Sequence, residues 1–411
     1  MARTSPSSIR SVISEPAVRV AAGVVFVIML GYGLIVPVLP LYARSFGVGR
    51  TEVGVLVTTF ALMRLVFDLV GGPLVDRFGE RRVATAGALV VGVSSALSAL
   101  APSFVLLVVF RAIGGAGSSI LFAAMMSYLV SAVRPDRMGR TMSVFYASFL
   151  FGTVLGQPIG GAIGAALGLA APLWFYAAAC AVSAVLILRR VRDVRGERRD
   201  PRESLTDVDV PLPSAWGRIR GLLSGRAFVV ALFANAALFW TLGSVRTTLV
   251  PLFAQERVGL GEAAIGGVLG IAGVAQFLVM WKAGSLADAR GRKVVLVPAL
   301  AALALATAAL AWATTTPLLA GALALLGVAT GFAGVVPGAV VADVAPRRSG
   351  TAIGMYRFAG DVGFVLGPVI GGAVAETAGF TAAFLVLAAP IVLAFLAALR
   401  MPETLRRRED G

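Results

Sequence analysis

Apolar and polar residues are distributed along this chain in long blocks. Apolar runs cover residues 18–43, 52–75, 83–101, 104–133, 139–168, 171–189, 227–254, 263–286, 293–313, 317–344, 350–377 and 381–400. About 20 apolar residues at ~1.5 Å rise per residue cross the hydrocarbon of a bilayer, so the pattern predicts twelve transmembrane helices. Residues 18–41 follow a charged N-terminal stretch, as a signal peptide would, but are long enough to span and are read as a retained first helix. Between the sixth and seventh runs, residues 190–225 are rich in Arg, Asp, Pro and Ser. The expected organisation is therefore a six-helix bundle over 1–189, a cytoplasmic linker over 190–225, a second six-helix bundle over 226–400 and a cytoplasmic tail over 401–411. Trp216, Arg218 and Arg220 suggest a short surface helix within the linker.

The two bundles are copies of one unit. Gly72-Pro73-Leu74-Val75-Asp76-Arg77-Phe78-Gly79-Glu80-Arg81 returns 212 residues later as Gly284-Ser285-Leu286-Ala287-Asp288-Ala289-Arg290-Gly291-Arg292-Lys293. Leu39-Pro40-Leu41 matches Val250-Pro251-Leu252, and Gly152, Gly156, Gly160 and Gly161 match Gly363, Gly367, Gly371 and Gly372, all at an offset of 211. So constant an offset implies two parallel, pseudo-symmetric halves, an organisation typical of secondary transporters. The fold class is an all-α membrane protein.

Composition agrees, with 58% hydrophobic and only 14% charged residues. The formal charge of +15 does not imply nucleic acid, because the cations lie in short loops between apolar runs. With a cytoplasmic N-terminus, 29 of the 36 cations fall on the inside, three (Arg44, Arg50, Arg257) outside, and Arg64, Arg111, Arg246 and Lys282 within spans. That asymmetry predicts cytoplasmic termini. The preference for Arg over Lys, with abundant Ala, Gly and Val, suggests a high-GC bacterial source and hence the inner membrane. The chain has no His and one Cys, Cys180, which removes His-based catalysis and intramolecular disulfides. No metal set, nucleophile-base cluster or phosphate-binding loop is visible, so an enzyme is not expected and energy must come from an ion or solute gradient. No cofactor is expected beyond a coupling proton. The expected partners are the lipid bilayer and a small-molecule substrate, with the chain acting as a monomer.

The repeated pattern G-x-L-x-D-x-x-G-x-[RK] resembles the cytoplasmic-loop signature of the major facilitator superfamily, and the resemblance extends over residues 18–400. It implies a cytoplasmic gate built from Gly72, Asp76, Arg77, Gly79 and Arg81, with Asp361 near the start of span eleven as partner and Gly284, Asp288 and Gly291 as the second copy. Ala289 replaces the first Arg in that copy, which implies a weaker latch. Gly156, Gln157, Pro158 and Gly160 in span five resemble the signature of proton-driven antiporters, with Pro158 one position late. Gly367, Pro368 and Gly371 repeat the arrangement in span eleven, where small residues favour close helix packing and Pro permits bending. Arg111, followed by Gly114 and Gly115, resembles the fourth-helix Arg motif associated with proton coupling.

Asp68 is the acid deepest in any span, ~12 Å from Asp76 along a helix, with Arg64 one turn further. Burial favours a neutral acid and the neighbouring cation favours a carboxylate, so motion that separates the two would drive protonation. The same pair could also be a static structural bridge. Arg246, flanked by Trp240, Thr241, Ser244, Thr247 and Thr248, could clamp an anionic group or reach the headgroups. The substrate-cavity candidates are Tyr32, Asn235, Trp240, Arg246 and Gln276, and the proton-coupling candidates are Asp68, Arg64 and Arg111. The resemblance implies proton-coupled efflux of a small amphiphilic or drug-like compound. An organic-anion carrier and a proton-independent uniporter are the alternatives.

Overall fold

The computed structural model describes residues 15–133, 137–191, 215–345 and 350–405. The predicted linker falls largely on 192–214 and the end of the tail on 406–411, both outside the described residues. Among the described residues all regular elements are helical, and twelve helices are long and apolar enough to cross a membrane. These are span one, Pro16–Ile35; two, Arg50–Phe78; three, Glu80–Ala99; four, Phe104–Ala132; five, Arg140–Leu167; six, Ala171–Arg190; seven, Arg226–Glu256; eight, Glu262–Arg290; nine, Arg292–Trp312; ten, Thr316–Val344; eleven, Thr351–Thr377; and twelve, Gly379–Leu399. A short helix at Ala215–Leu223 precedes span seven and exposes Trp216, as its amphipathic sequence suggests.

The contacts divide the chain into two units. One comprises Met1–Val38 with Leu62–Val210, the other Leu39–Ala61 with Pro211–Gly411. Residues 39–61, which the repeat assigns to the first six-helix half, thus pack with the second. Span two is consequently one continuous helix whose N-terminal part belongs to one unit and whose C-terminal part belongs to the other.

Within each unit the repeat reappears as packing. In the first, span one lies on spans five and six, and span three on four and six. In the second, span seven lies on eleven, and span nine on ten and twelve. Backbone-to-backbone approach explains the duplicated glycines. A Cβ at Gly33 would sit 2.5 Å from the carbonyl oxygen of Thr153 and 2.9 Å from the Cα of Gly156, and a Cβ at Gly160 would overlap the carbonyl of Leu34. In the second unit a Cβ at Gly363 would overlap the carbonyl of Ala236, and one at Gly367 would lie 3.0 Å from that of Trp240. Without side chains, helices in lipid gain dispersion contact along their whole backbones, which is the main association force available there. Pro158 and Pro368 sit inside these helices, Pro158 midway between Gly156 and Gly160 and Pro368 next to Gly367.

The duplicated Pro40 and Pro251 each take the second position of a short helix that follows an irregular segment, and the segment before Pro40 contains a further proline, Pro37. A proline removes one N–H and crowds the carbonyl four residues before it. Span one was expected to run unbroken over 18–43, but its helix stops at Ile35, and a turn at Val36–Val38 precedes a second helix at Leu39–Arg44. In span seven the chain widens into a π-helix at Thr241–Leu249 before α-helix resumes at Val250. The hydroxyls of Thr247 and Thr248 reinforce that wider register by donating to the carbonyls five residues back, Leu242 at 2.9 Å and Gly243 at 2.8 Å. Such π segments are uncommon and concentrate at functional positions.

Candidate functional site

Polar groups lie inside the spans of both units. In the first unit the carboxylate of Asp68 accepts a hydrogen bond from the Ser119 hydroxyl of span four. Asp68 and Arg64 are half-buried. Arg111, eight residues before Ser119 on span four, is 2% exposed and lies within electrostatic reach of Tyr176, Tyr32 and Cys180. Tyr32 in turn feels both Arg111 and Arg64. The structure thus gathers Tyr32, Arg64 and Arg111 into one polar region of the first unit and adds Tyr176, while Asp68 is fixed by Ser119. Gly31 makes the Tyr176 approach possible, since a Cβ there would lie 2.5 Å from the Tyr176 ring.

In the second unit Arg246 is 5% exposed and donates through Nη1 to the Gln276 carbonyl oxygen at 2.9 Å. Arg246 lies within the π segment of span seven, whose wider register the Thr247 and Thr248 hydroxyls support. Asn235 and Trp240 are buried and use their polar groups within the bundle. Asn235 donates to the carbonyl of Tyr356 at 2.7 Å, and Trp240 donates to that of Leu387 at 3.1 Å. A buried cation with a neutral amide partner suits reversible capture of an anionic group, because the amide can rotate away as a stronger acceptor arrives.

The repeated loops have different chemistry despite their common backbone. Gly79 and Gly291 both adopt positive φ, 87° and 118°, which explains why the motif needs Gly there. Asp76 and Arg77 are exposed, with the Arg77 guanidinium 5.2 Å from the centre of the Phe78 ring. Asp361 is buried in the second unit. In the second copy Arg292 donates to Asp288 and, at 3.0 Å, to Asp343 of span ten. Glu403, from the segment after span twelve, closes this corner by accepting the backbone N–H groups of Arg292 at 2.8 Å and Lys293 at 3.1 Å. It thereby caps the start of span nine. Partial burial pushes the Glu403 pKa up, but four backbone N–H bonds, from Leu405, Arg292, Lys293 and Thr404, outweigh it and hold the carboxyl below its ordinary value. At the position of Arg292 the first copy has Glu80, which is 1% exposed and accepts from Ser127 at 3.2 Å.

Several of these residues carried no label in the sequence. Ser119 has one signal, a hydroxyl mate 211 residues on at Thr330, although Thr330 bonds to Gly327 of its own helix. Asp343 and Glu403 have no repeat signal. Neither does the group at the other end of span two. There Arg50 donates to Glu256 and to the carbonyl of Ala375, and Arg44 lies 3.5 Å from Glu256.

Known proteins give this geometry a family. A profile described as "Major Facilitator Superfamily" matches residues 21–313 and 277–411, and the chain belongs to that superfamily. The chain is 29% identical over 137 residues to "Quinolone resistance protein NorA" of Staphylococcus aureus (strain MRSA252), a match covering 32% of this chain and 35% of the relative. It is 26% identical over 161 residues to "Multidrug resistance protein 2" of Bacillus subtilis (strain 168), covering 39% of this chain and 40% of the relative. The matches thus span well under half of these curated relatives. The crystal structure of the nucleoside transporter NupG superposes with a TM-score of 0.74 over 94% of this chain and 100% of that one, at 15% identity. It shares the fold. The chain is a multi-pass membrane transporter and not an enzyme.

Proposed function

We propose that this transporter is a proton-coupled antiporter that exports small amphiphilic, drug-like compounds by alternating access, with both termini in the cytoplasm. The observation that carries the reading is Asp68, an acid within a span, hydrogen-bonded to Ser119 and one turn from Arg64. The ionised carboxylate accepts from Ser119. When Asp68 takes a proton it loses the charge that favours this bond, so the link between spans two and four loosens as protonation changes. Arg64, one helical turn away on span two, carries a fixed positive charge. Similarity to proteins named for quinolone and multidrug resistance supports the substrate class.

The Arg246–Gln276 pair favours a second reading, an organic-anion carrier in which Arg246 binds a carboxylate or phosphate and Gln276 is displaced. A proteoliposome assay separates the two. With an imposed pH gradient, hydrophobic cations, neutral drugs and organic acids are added in turn while internal pH is followed. The efflux reading predicts proton movement triggered by cations or neutral drugs. Movement with organic acids alone, or substrate flux without protons, would replace it with the anion carrier or a uniporter.

A further inference from the structure

We propose that the short helix before span seven is a binding surface for anionic phospholipid, with the headgroup phosphates of the adjoining leaflet held by Arg220 and Arg226. The inference needs only that the chain spans a membrane, and it is independent of the transported compound.

The helix at Ala215–Leu223 lies where a bilayer surface must be. Only Ser224 and Gly225 separate Leu223 from Arg226, the first residue of span seven. Backbone bonds close this turn, from the Ser224 N–H to the Arg220 carbonyl and from the Gly225 N–H to the Leu222 carbonyl, both at 3.1 Å. The helix packs against spans seven and eleven, so its position is tied to the second unit.

Helical spacing sorts its side chains. Trp216, Arg220 and Leu223 stand at i, i+4 and i+7 on one face, and all three are exposed, Trp216 at 74%. Ile219 and Leu222, beside that face, are half-buried. In water the exposed face would leave an indole and a leucine uncovered. At a membrane surface the indole sits at headgroup level and the leucine reaches the upper acyl chains. Arg220, between them, is then level with the phosphates, and its planar fork can bond two phosphate oxygens at once. Arg226 is exposed at the head of span seven and supplies a second cation at the same boundary.

Charge selects the lipid. From Val210 through Gln255 the chain has four Arg and no Asp or Glu. Among the described residues neither Arg220 nor Arg226 enters an ion pair. A zwitterionic headgroup brings its own ammonium to such a pair, which offsets the attraction of its phosphate. An anionic headgroup such as phosphatidylglycerol brings none, and each cation at the surface then favours it about fivefold.

The test uses the full chain with Cys180→Ser removing the native thiol and a fluorophore attached at Ser224→Cys, an exposed position just beyond the helix. The protein is reconstituted in phosphatidylcholine vesicles in which part of the lipid carries a nitroxide near the top of its acyl chain, on either phosphatidylglycerol or phosphatidylcholine. Quenching reports which headgroup collects beside the helix. Labelled phosphatidylglycerol should reach half-quenching at about one-fifth of the mole fraction that labelled phosphatidylcholine needs. Arg220→Gln with Arg226→Gln should bring the two curves together, and Arg220→Lys with Arg226→Lys should keep part of the separation. Both side chains are exposed, so these variants leave the packing of the bundle intact. Coincident curves in the parent would overturn the lipid preference, and quenching by neither lipid would remove the helix from the membrane surface. A separation that survives Arg220→Gln with Arg226→Gln would assign the preference to other cations and overturn the site.

Discussion

Spans two and eight are repeat mates of 29 residues each, and they differ in what they connect. Span eight lies wholly within one unit, whereas span two is divided between both. Where span two has Arg50, Arg64 and Asp68, span eight has Glu262, Gln276 and Met280. Their shared features are steric, as in the Gly54 and Gly266 pair and the motif glycines at either copy of the loop. Duplication has kept the small residues that let helices approach, while the charges have diverged: Arg64 and Asp68 have uncharged mates and Arg50 has an acidic one. In this chain the glycines follow the repeat and the in-span charges do not.

The largest test of that division is steric. Gly160→Val places side-chain atoms on the Leu34 carbonyl, which belongs to rigid backbone, and should destabilise the first unit by about 3 kcal/mol. Its mate Gly371→Val meets the Leu387 side chain, with a Cβ distance of 3.1 Å, and should cost about 1 kcal/mol because that leucine can shift. Thermal unfolding in detergent compares the two, and equal losses would show that the halves are packed alike at these positions.

Next in size is relocation of the acid. Adding Met280→Asp to Asp68→Asn should leave proton-driven accumulation absent, since the repeat mate of Ser119, Thr330, already bonds to its own helix at Gly327. Recovered accumulation would mean that either half can house the coupling acid.

The smallest effect concerns the loop corners, where the second copy has Glu403 and the first has buried Glu80. The Glu403 carboxyl is depressed below its ordinary value of 4.5, so its contribution to stability is fully present above pH 4.5 and is lost as the pH falls through the depressed value. Glu403→Gln should therefore lower the melting temperature by about 1 °C at neutral pH, given the partial exposure of the group. The difference from the parent should vanish in acid. A gap that persists there would assign the effect to lost packing.

The spans were legible because each apolar run meets the length of the hydrocarbon, and the halves were legible because glycine, proline and loop residues recur at a fixed offset. What proline does to each helix was not legible. Pro40 and Pro251 occupy matched positions, yet span one turns where span seven widens into a π segment: Thr247 and Thr248 donate five residues back, whereas their mates are Val36 and Pro37, and Pro37 lies in the turn itself and removes a further N–H. The candidates Asp68 and Arg246 stood out as ionisable residues in apolar surroundings. Their partners Ser119 and Gln276 come from other helices, and one sequence does not give the register between helices. Arg50 looked like an ordinary loop cation for the same reason, since Glu256 and Ala375 lie more than 200 residues away along the chain.

The most direct measurement of the central claim is the split between driven accumulation and exchange in vesicles containing the Asp68→Asn protein. The parent should concentrate a hydrophobic cation against its gradient when a pH difference is imposed. Asp68→Asn should lose that accumulation and still exchange labelled for unlabelled substrate at a comparable rate. Accumulation at the parental level in Asp68→Asn would contradict a coupling role for this acid and leave it as a structural tie between spans two and four.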